Sequence, residues 1–194
     1  MKKYIVFLIS IILLNAQAFE GMTLLSPTQG GNGGGGGGGT FYSYLIDNDL
    51  NELNTWTHSY GPASMPYLNQ DSTLIYPYRV PNPTMAVGGV GGGISKYSWE
   101  GELLWDYQVS DDTYQHHHDV EPLPNGNILV IAWEKKTASE AYAAGRQSID
   151  NSLNEMWSTA ILELEPVGNN DANIVWEWHV WDHLIQNVDP ELDN

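Results

Sequence analysis

Short apolar and aromatic runs alternate along the chain with polar, glycine- and proline-containing turns, and the runs recur in a fixed order. FYSYLIDNDLNELNTWTHS reads as a strand, a polar turn and a second strand that carries Trp56. GGISKYSWEGELLWDYQVS repeats that plan around Trp105, and TAILELEPVGNNDANIVWEWHVW repeats it around Trp176. The first two copies also continue alike. Met65-Pro66-Tyr67-Leu68 precedes Ser72-Thr73-Leu74-Ile75-Tyr76, and Val120-Glu121-Pro122-Leu123 precedes Gly126-Asn127-Ile128-Leu129-Val130. Each whole unit therefore predicts four strands over about fifty residues, the size of one propeller blade.

Helical periodicity is weak except within Thr137–Asn154, where Ala138, Ala141, Ala144 and Arg146 have favourable helix propensity. The Trp105-to-Trp176 spacing exceeds the Trp56-to-Trp105 spacing, and an insertion at about 135–154 accounts for the difference. Lys135 and Lys136 are expected on its exposed edge. Ile174, Trp176, Trp178 and Val180 alternate along one strand, which predicts a shared face packed between sheets. Val87–Gly93 (VGGVGGG) runs straight into a strand, so its glycines predict a close backbone approach or a tight bend. Gly30–Gly39 is a flexible tract, and no Gly-Lys-Ser/Thr follows it to make a phosphate loop.

A propeller needs about four to eight blades to close. The repeats supply two full units and the start of a third, which leads us to expect the N-terminal part of a longer protein.

Lys2 and Lys3, the apolar Tyr4–Leu14 and the small-x-small Ala16-Gln17-Ala18 together predict a signal peptide over 1–18. An N-terminal membrane anchor is the alternative reading of the same run. A Gly-rich segment over 19–40 follows, and the repeat region fills 41–194. The expected location is periplasmic or extracellular. With no cysteine, thiol chemistry and cysteine-based zinc sites are excluded. The 194 residues carry a formal charge of −17, from 7 basic and 24 acidic side chains. Such a surface repels nucleic acid and anionic lipid, so neither is an expected partner. Eight tryptophans and eleven tyrosines argue for a packed core despite the acidity.

The chemistry centres on QHHHDVEPLPNGN, where His116, His117, His118 and Asp119 lead toward a strong turn signal. Three readings of the histidines are open: a metal site, a catalytic group, or the polar edge of a blade. Consecutive strand residues point to opposite faces, so His117 and His118 are not expected to share a pocket. Metal binding needs convergent ligands that three consecutive histidines on a strand do not supply. His179 and His183 are four apart, yet VWEWHV alternates like a strand and no HExxH is present. As a catalytic group, imidazole serves as nucleophile, proton shuttle or donor to a developing oxyanion. Tyr76, Tyr78 and Arg79 in LIYPYRVPNP form a further group, suited to an aryl ring with an anionic substituent.

QHHHDVEPLPNGNILVIAWE together with ANIVWEWHVWDHLIQ resembles the bacterial aryl-sulfate sulfotransferases, an exported β-propeller family. The likeness runs from about SPTQGG to the end of the sequence. It implies about two and a half to three blades of a six-bladed ring. It further implies sulfuryl transfer from a phenolic sulfate ester to a phenol through a sulfohistidine, without metal, nucleotide or other cofactor. By that resemblance His118, with His117 in the adjacent slot, is a catalytic channel histidine that contacts the sulfuryl group and is not the nucleophile. Asp119, Tyr78 and Arg79 are the implied substrate-binding residues. The family's His-x-Asn and Ser-x-Arg-His motifs, which carry the nucleophile and other sulfate ligands, do not occur in this sequence. A chain with these residues alone is expected to be inactive. The partners implied are small aryl sulfates and phenols, with homo-oligomerisation left open. The rival is a non-catalytic extracellular propeller that binds a ligand or partner, because propellers host many functions.

Overall fold

A computed structural model describes residues 20–28 and 38–185. The expected leader, most of the glycine tract and residues 186–194 lie outside the described residues. The architecture is all-β, as the alternation predicts, and consists of three antiparallel sheets. The first contains β1 (Met22–Leu25), β2 (Phe41–Asp47) and β3 (Glu52–His58). The second contains β4 (Tyr67–Leu68), β5 (Leu74–Arg79), β6 (Gly92–Tyr97) and β7 (Leu103–Gln108). The third contains β8 (Tyr114–Pro122), β9 (Ile128–Thr137), β10 (Glu155–Val167) and β11 (Asp171–His179). Within every sheet the strands lie side by side in chain order, so each sheet is a meander. Hairpins β2–β3, β6–β7 and β10–β11 are the three tryptophan-bearing copies, and β4–β5 and β8–β9 are their continuations. The segment read as merely glycine-rich contributes β1, which pairs with β2 from Met22↔Asp47 to Leu25↔Tyr44.

The pleat decides how the sheets stack. On β5, Leu74, Tyr76 and Tyr78 turn toward the first sheet and bury against Leu45 and Trp56. Ile75 turns the other way and joins Ile94 and Trp105 against Val130, Leu162 and Leu164 of the third sheet. The second sheet is thus covered on both faces, which explains why LIYPY reads as a continuous apolar run with no polar face. Two indoles fasten this stack. Trp56 Nε1 donates to the Ser98 carbonyl at 2.8 Å, in the turn that joins β6 to β7. Trp105 Nε1 donates to the Asp171 carbonyl, also at 2.8 Å, where β11 begins. Each buried ring fills core volume while its one polar atom is satisfied by the next sheet.

The third tryptophan behaves differently. Trp176 pairs with Glu163 but Ile174 pairs with Leu164, so Val175 is an extra residue at a β-bulge. The bulge puts Ile174 and Trp176 on opposite faces, and Val180 has left the strand for a 3-10 helix, Val180–His183. The expected common packed face is therefore not formed, and Trp176 is 48% exposed.

The insertion is also smaller than its sequence suggests. β9 runs on to Thr137, and only Ala138–Ala143 is helical (α1). A capping box starts this helix: Thr137 Oγ1 accepts from the Glu140 N–H, and Glu140 accepts from the Thr137 N–H. Arg146 falls beyond it. Lys135 and Lys136 are strand residues, not an exposed edge, and Lys136 Nζ sits 2.6 Å from Glu134 and over the Trp181 ring. Among the described residues no helix is long and apolar enough to cross a membrane.

Candidate functional site

β8 is an edge strand that breaks its own alternation in the middle. It pairs with β9 through His116↔Ala132 and again through Val120↔Val130, so three β8 residues stand where β9 has one. His118 takes a left-handed backbone with φ +60° to accommodate them. Non-glycine residues adopt that conformation at a cost of about 1–2 kcal/mol, so surrounding contacts must hold it. The distortion overturns the expectation that His117 and His118 diverge. Their Nδ1 atoms are 2.8 Å apart and their rings meet edge to face.

The contacts that hold this geometry come from the glycine run of the second sheet. His118 N–H donates to the Gly89 carbonyl at 2.7 Å, and Gly91 N–H donates to the His116 carbonyl at 3.0 Å. A Cβ on Gly89 would stand 2.3 Å from the His118 ring, and one on Gly91 would stand 2.5 Å from the His116 ring. The expected close backbone approach is found, and what approaches is imidazole.

The three rings have distinct settings. His116 is fully buried, and its Nδ1 accepts from the Gly92 N–H at 3.0 Å. Its proton therefore sits on Nε2, which is buried without a partner. Burial, followed by the adjacent His117, pushes its pKa down to about 4. His117 is 5% exposed and stacks on Trp133 with ring centres 4.4 Å apart. Burial, then His118, lowers its pKa to about 4 as well, so His117 is neutral near pH 7. His118 alone is exposed. With Nδ1 taken by His117, Nε2 is the nitrogen His118 offers to a ligand. When His117 donates its Nδ1 proton, His118 carries its own proton on Nε2 and presents a hydrogen-bond donor.

The other predicted residues are placed as follows. Asp119 is exposed, and both of its oxygens accept from the Tyr67 hydroxyl of β4, at 3.0 and 2.9 Å. Burial first, then Asp119, raises the Tyr67 pKa to about 12. The Asp119 carboxylate is thus fastened to a tyrosine of the second sheet. Tyr78 and Arg79 are parted by the pleat. Tyr78 turns toward the first sheet, lies over Gly93 and donates to Asp106 Oδ1 at 3.0 Å. Arg79 follows on the opposite face of β5; its Nε is buried and unpartnered, and it makes no ion pair among the described residues. Tyr78 and Arg79 therefore do not line one aryl-plus-anion pocket.

His179 ends β11 with Nδ1 3.1 Å from Glu134, at ion-pair distance though not aligned as a hydrogen bond. His183 stacks on Trp178 from within the 3-10 helix. Among the described residues no group of three or more histidine, aspartate or glutamate side chains is arranged to hold a metal ion.

Sequence reasoning singled out His117 and His118 and the glycine run that holds Gly89 and Gly91, but left out Tyr67 and Trp133 as neighbours of the group. The glycine run was the one available signal, and it named no partner because its partner lies across a sheet boundary. No family model, curated protein or solved structure matches the chain.

Proposed function

We propose that this chain is part of an exported β-propeller of the aryl-sulfate sulfotransferase type. The observation that supports this best is the His117–His118 pair, held on a strained bulge with one buried neutral ring behind one exposed ring. Three stacked four- or three-stranded meanders in chain order suit successive blades. In the proposed reaction a histidine from outside this sequence attacks the sulfur of an aryl sulfate. The S–O bond to the aryl oxygen breaks, the phenolate leaves, and a sulfohistidine remains. A second phenol then gives up its proton to a base, attacks the sulfur and releases the histidine. His118 Nε2–H donates to the sulfuryl oxygens where charge gathers, and His117 fixes the His118 tautomer from behind. Arg79, whose guanidinium makes no ion pair among the described residues, is the proposed cation for the same anion.

The test is transfer from 4-nitrophenyl sulfate to phenol by the full-length protein, followed as release of 4-nitrophenolate. His118→Ala is expected to lower kcat by about 10²–10³, as expected for loss of an oxyanion donor. Unchanged turnover in a folded His118→Ala protein removes His118 from the mechanism.

One observation favours the non-catalytic reading: neither His-x-Asn nor Ser-x-Arg-His occurs in this sequence. A full-length reading frame that also lacks both motifs would favour the binding module over the enzyme.

A further inference from the structure

Between the first and second sheets lies a cavity of about 250 Å³ that the sulfuryl-transfer reading leaves unused. Its wall contains His58, Tyr60, Tyr78, Ser95, Tyr97 and Asp106. That volume is below the range of about 300–1,000 Å³ typical for drug-sized ligands, so its occupant is small.

The hydrogen-bond accounting sets the occupant's chemistry. Tyr78 donates its hydroxyl proton to Asp106 Oδ1 at 3.0 Å, and Ser95 donates to Asp106 Oδ2 at 2.6 Å. Tyr76, also on the wall, donates to the Tyr60 carbonyl at 2.8 Å. These protons are committed within the protein, and each oxygen keeps lone pairs. His58 is 2% exposed, and its Nε2 is tied to Ser43 at 2.8 Å, with Ser26 bonded beyond. Its Nδ1 is buried without a partner. With the proton on Nε2, that nitrogen is one more acceptor. Gln108 is the one amide donor present, and its Nε2 points to the Tyr78 hydroxyl at 3.4 Å.

Charge leads to the same conclusion. No lysine or arginine lines the cavity, and Asp106 has no ion-pair partner among the described residues. Burial holds His58 near a pKa of about 3, so it supplies no positive charge at neutral pH. Burial and then Asp106 raise the Tyr78 hydroxyl above its ordinary range, which keeps its proton in place. With Asp106 as its one charged group, the cavity repels anions and favours a cationic donor.

We propose that this cavity is a binding site for a small primary alkylammonium ion, with Asp106 as counter-charge and the Tyr78 and Ser95 oxygens as additional acceptors. The ammonium group brings three donors and the compensating charge, and its short alkyl chain contacts the tyrosine rings.

The experiment titrates the full chain with ethylammonium chloride at constant ionic strength and follows backbone amide NMR shifts, with ethanol as the neutral counterpart. Saturable shifts are expected at Tyr60, Tyr78, Ser95 and Asp106, with ethanol producing none. Asp106→Asn is expected to weaken binding by at least about tenfold, as loss of a charge-assisted contact does. Asp106 also ties Tyr78 to Ser95, so Tyr78→Phe provides a second variant that retains the ring; it is expected to weaken binding about threefold or more. Asp71→Asn, an exposed carboxylate paired with Lys96, is expected to leave binding unchanged. Shifts that spread over the acidic surface without saturating overturn the proposal. So does equal binding of ethanol, or wild-type affinity in Tyr78→Phe together with either wild-type affinity or loss of fold in Asp106→Asn.

Discussion

The indole Nε1 of Trp105 donates to the backbone carbonyl of Asp171 across 2.8 Å, from the last strand of the second sheet to the last hairpin of the third. Trp56 makes the same kind of bond to Ser98, one sheet earlier. Both rings are essentially buried, Trp56 at 0% and Trp105 at 2% exposure, whereas Trp176 has no such partner among the described residues and is half exposed. Trp105→Phe is expected to lower stability by about 1–3 kcal/mol, because it removes a part-buried hydrogen bond and leaves a gap where the larger ring packed. Trp176→Phe is expected to change stability by no more than about 0.5 kcal/mol. Urea denaturation with an unchanged m value checks both. Equal effects at the two positions would contradict the packing described.

Gly91 has no room for a methyl group, because a Cβ there would stand 2.5 Å from the His116 ring and 3.0 Å from the Ala63 side chain. His116 is fully buried and cannot swing aside. Gly91→Ala is expected to cost about 1–3 kcal/mol through overpacking. Gly101→Ala meets nothing within 4 Å, so only its φ of +86° opposes the change, at about 1 kcal/mol. Comparing the two variants by chemical denaturation separates contact with imidazole from backbone strain.

The left-handed backbone at His118 gives a third test. Asparagine tolerates that conformation, so His118→Asn is expected to hold stability within about 1 kcal/mol. The β-branched His118→Val is expected to lose about 1–2 kcal/mol or more. A valine variant as stable as the asparagine one would mean the bulge does not persist in solution.

Stability should decline on mild acidification. His116 and His117 have pKa values of about 4 when folded, against an ordinary 6.5. Between those values the unfolded chain binds more protons than the folded one, so unfolding free energy rises with pH. Their contribution is complete above pH 6.5 and is lost as pH falls toward 4, on the order of 3 kcal/mol for fully buried His116. His58, at about 3, extends the same loss further down. Asp47, held low by Asn51, and Asp71, held low by Thr73, add acid sensitivity of the same sign as they protonate. Denaturation midpoints measured from pH 7 to pH 4 check this. A flat profile down to pH 5 would show that the histidines are not buried as described.

Much of the strand plan was legible because it rests on local chemistry. Pro124-Asn125-Gly126-Asn127 can only turn, and the alternation in FYSYLID or NILVIAW can only bury one side of a strand or both. Registers are another matter. Extra residues on β8 and β11 move His118 and Trp176 away from where strict alternation would aim them. Histidine and tryptophan are compatible with either face, so nothing in their types announces a bulge. The capped helix was over-read because alanine propensity continues past Ala143, while the chain turns at Gly145, with φ +96°. The histidine bed was half legible: Gly89 and Gly91 signalled a close neighbour, and only tertiary packing supplied its identity.

The two indole bonds also fix how the molecule comes apart. Each crosses from one sheet to the next, one to a turn and one to the start of a strand, so loosening the Ser98 turn releases Trp56, and fraying at Asp171 releases Trp105. Amide protection in an upstream meander is therefore governed by its downstream neighbour, and exchange should report one cooperative unit with its weakest seam at the β10–β11 end.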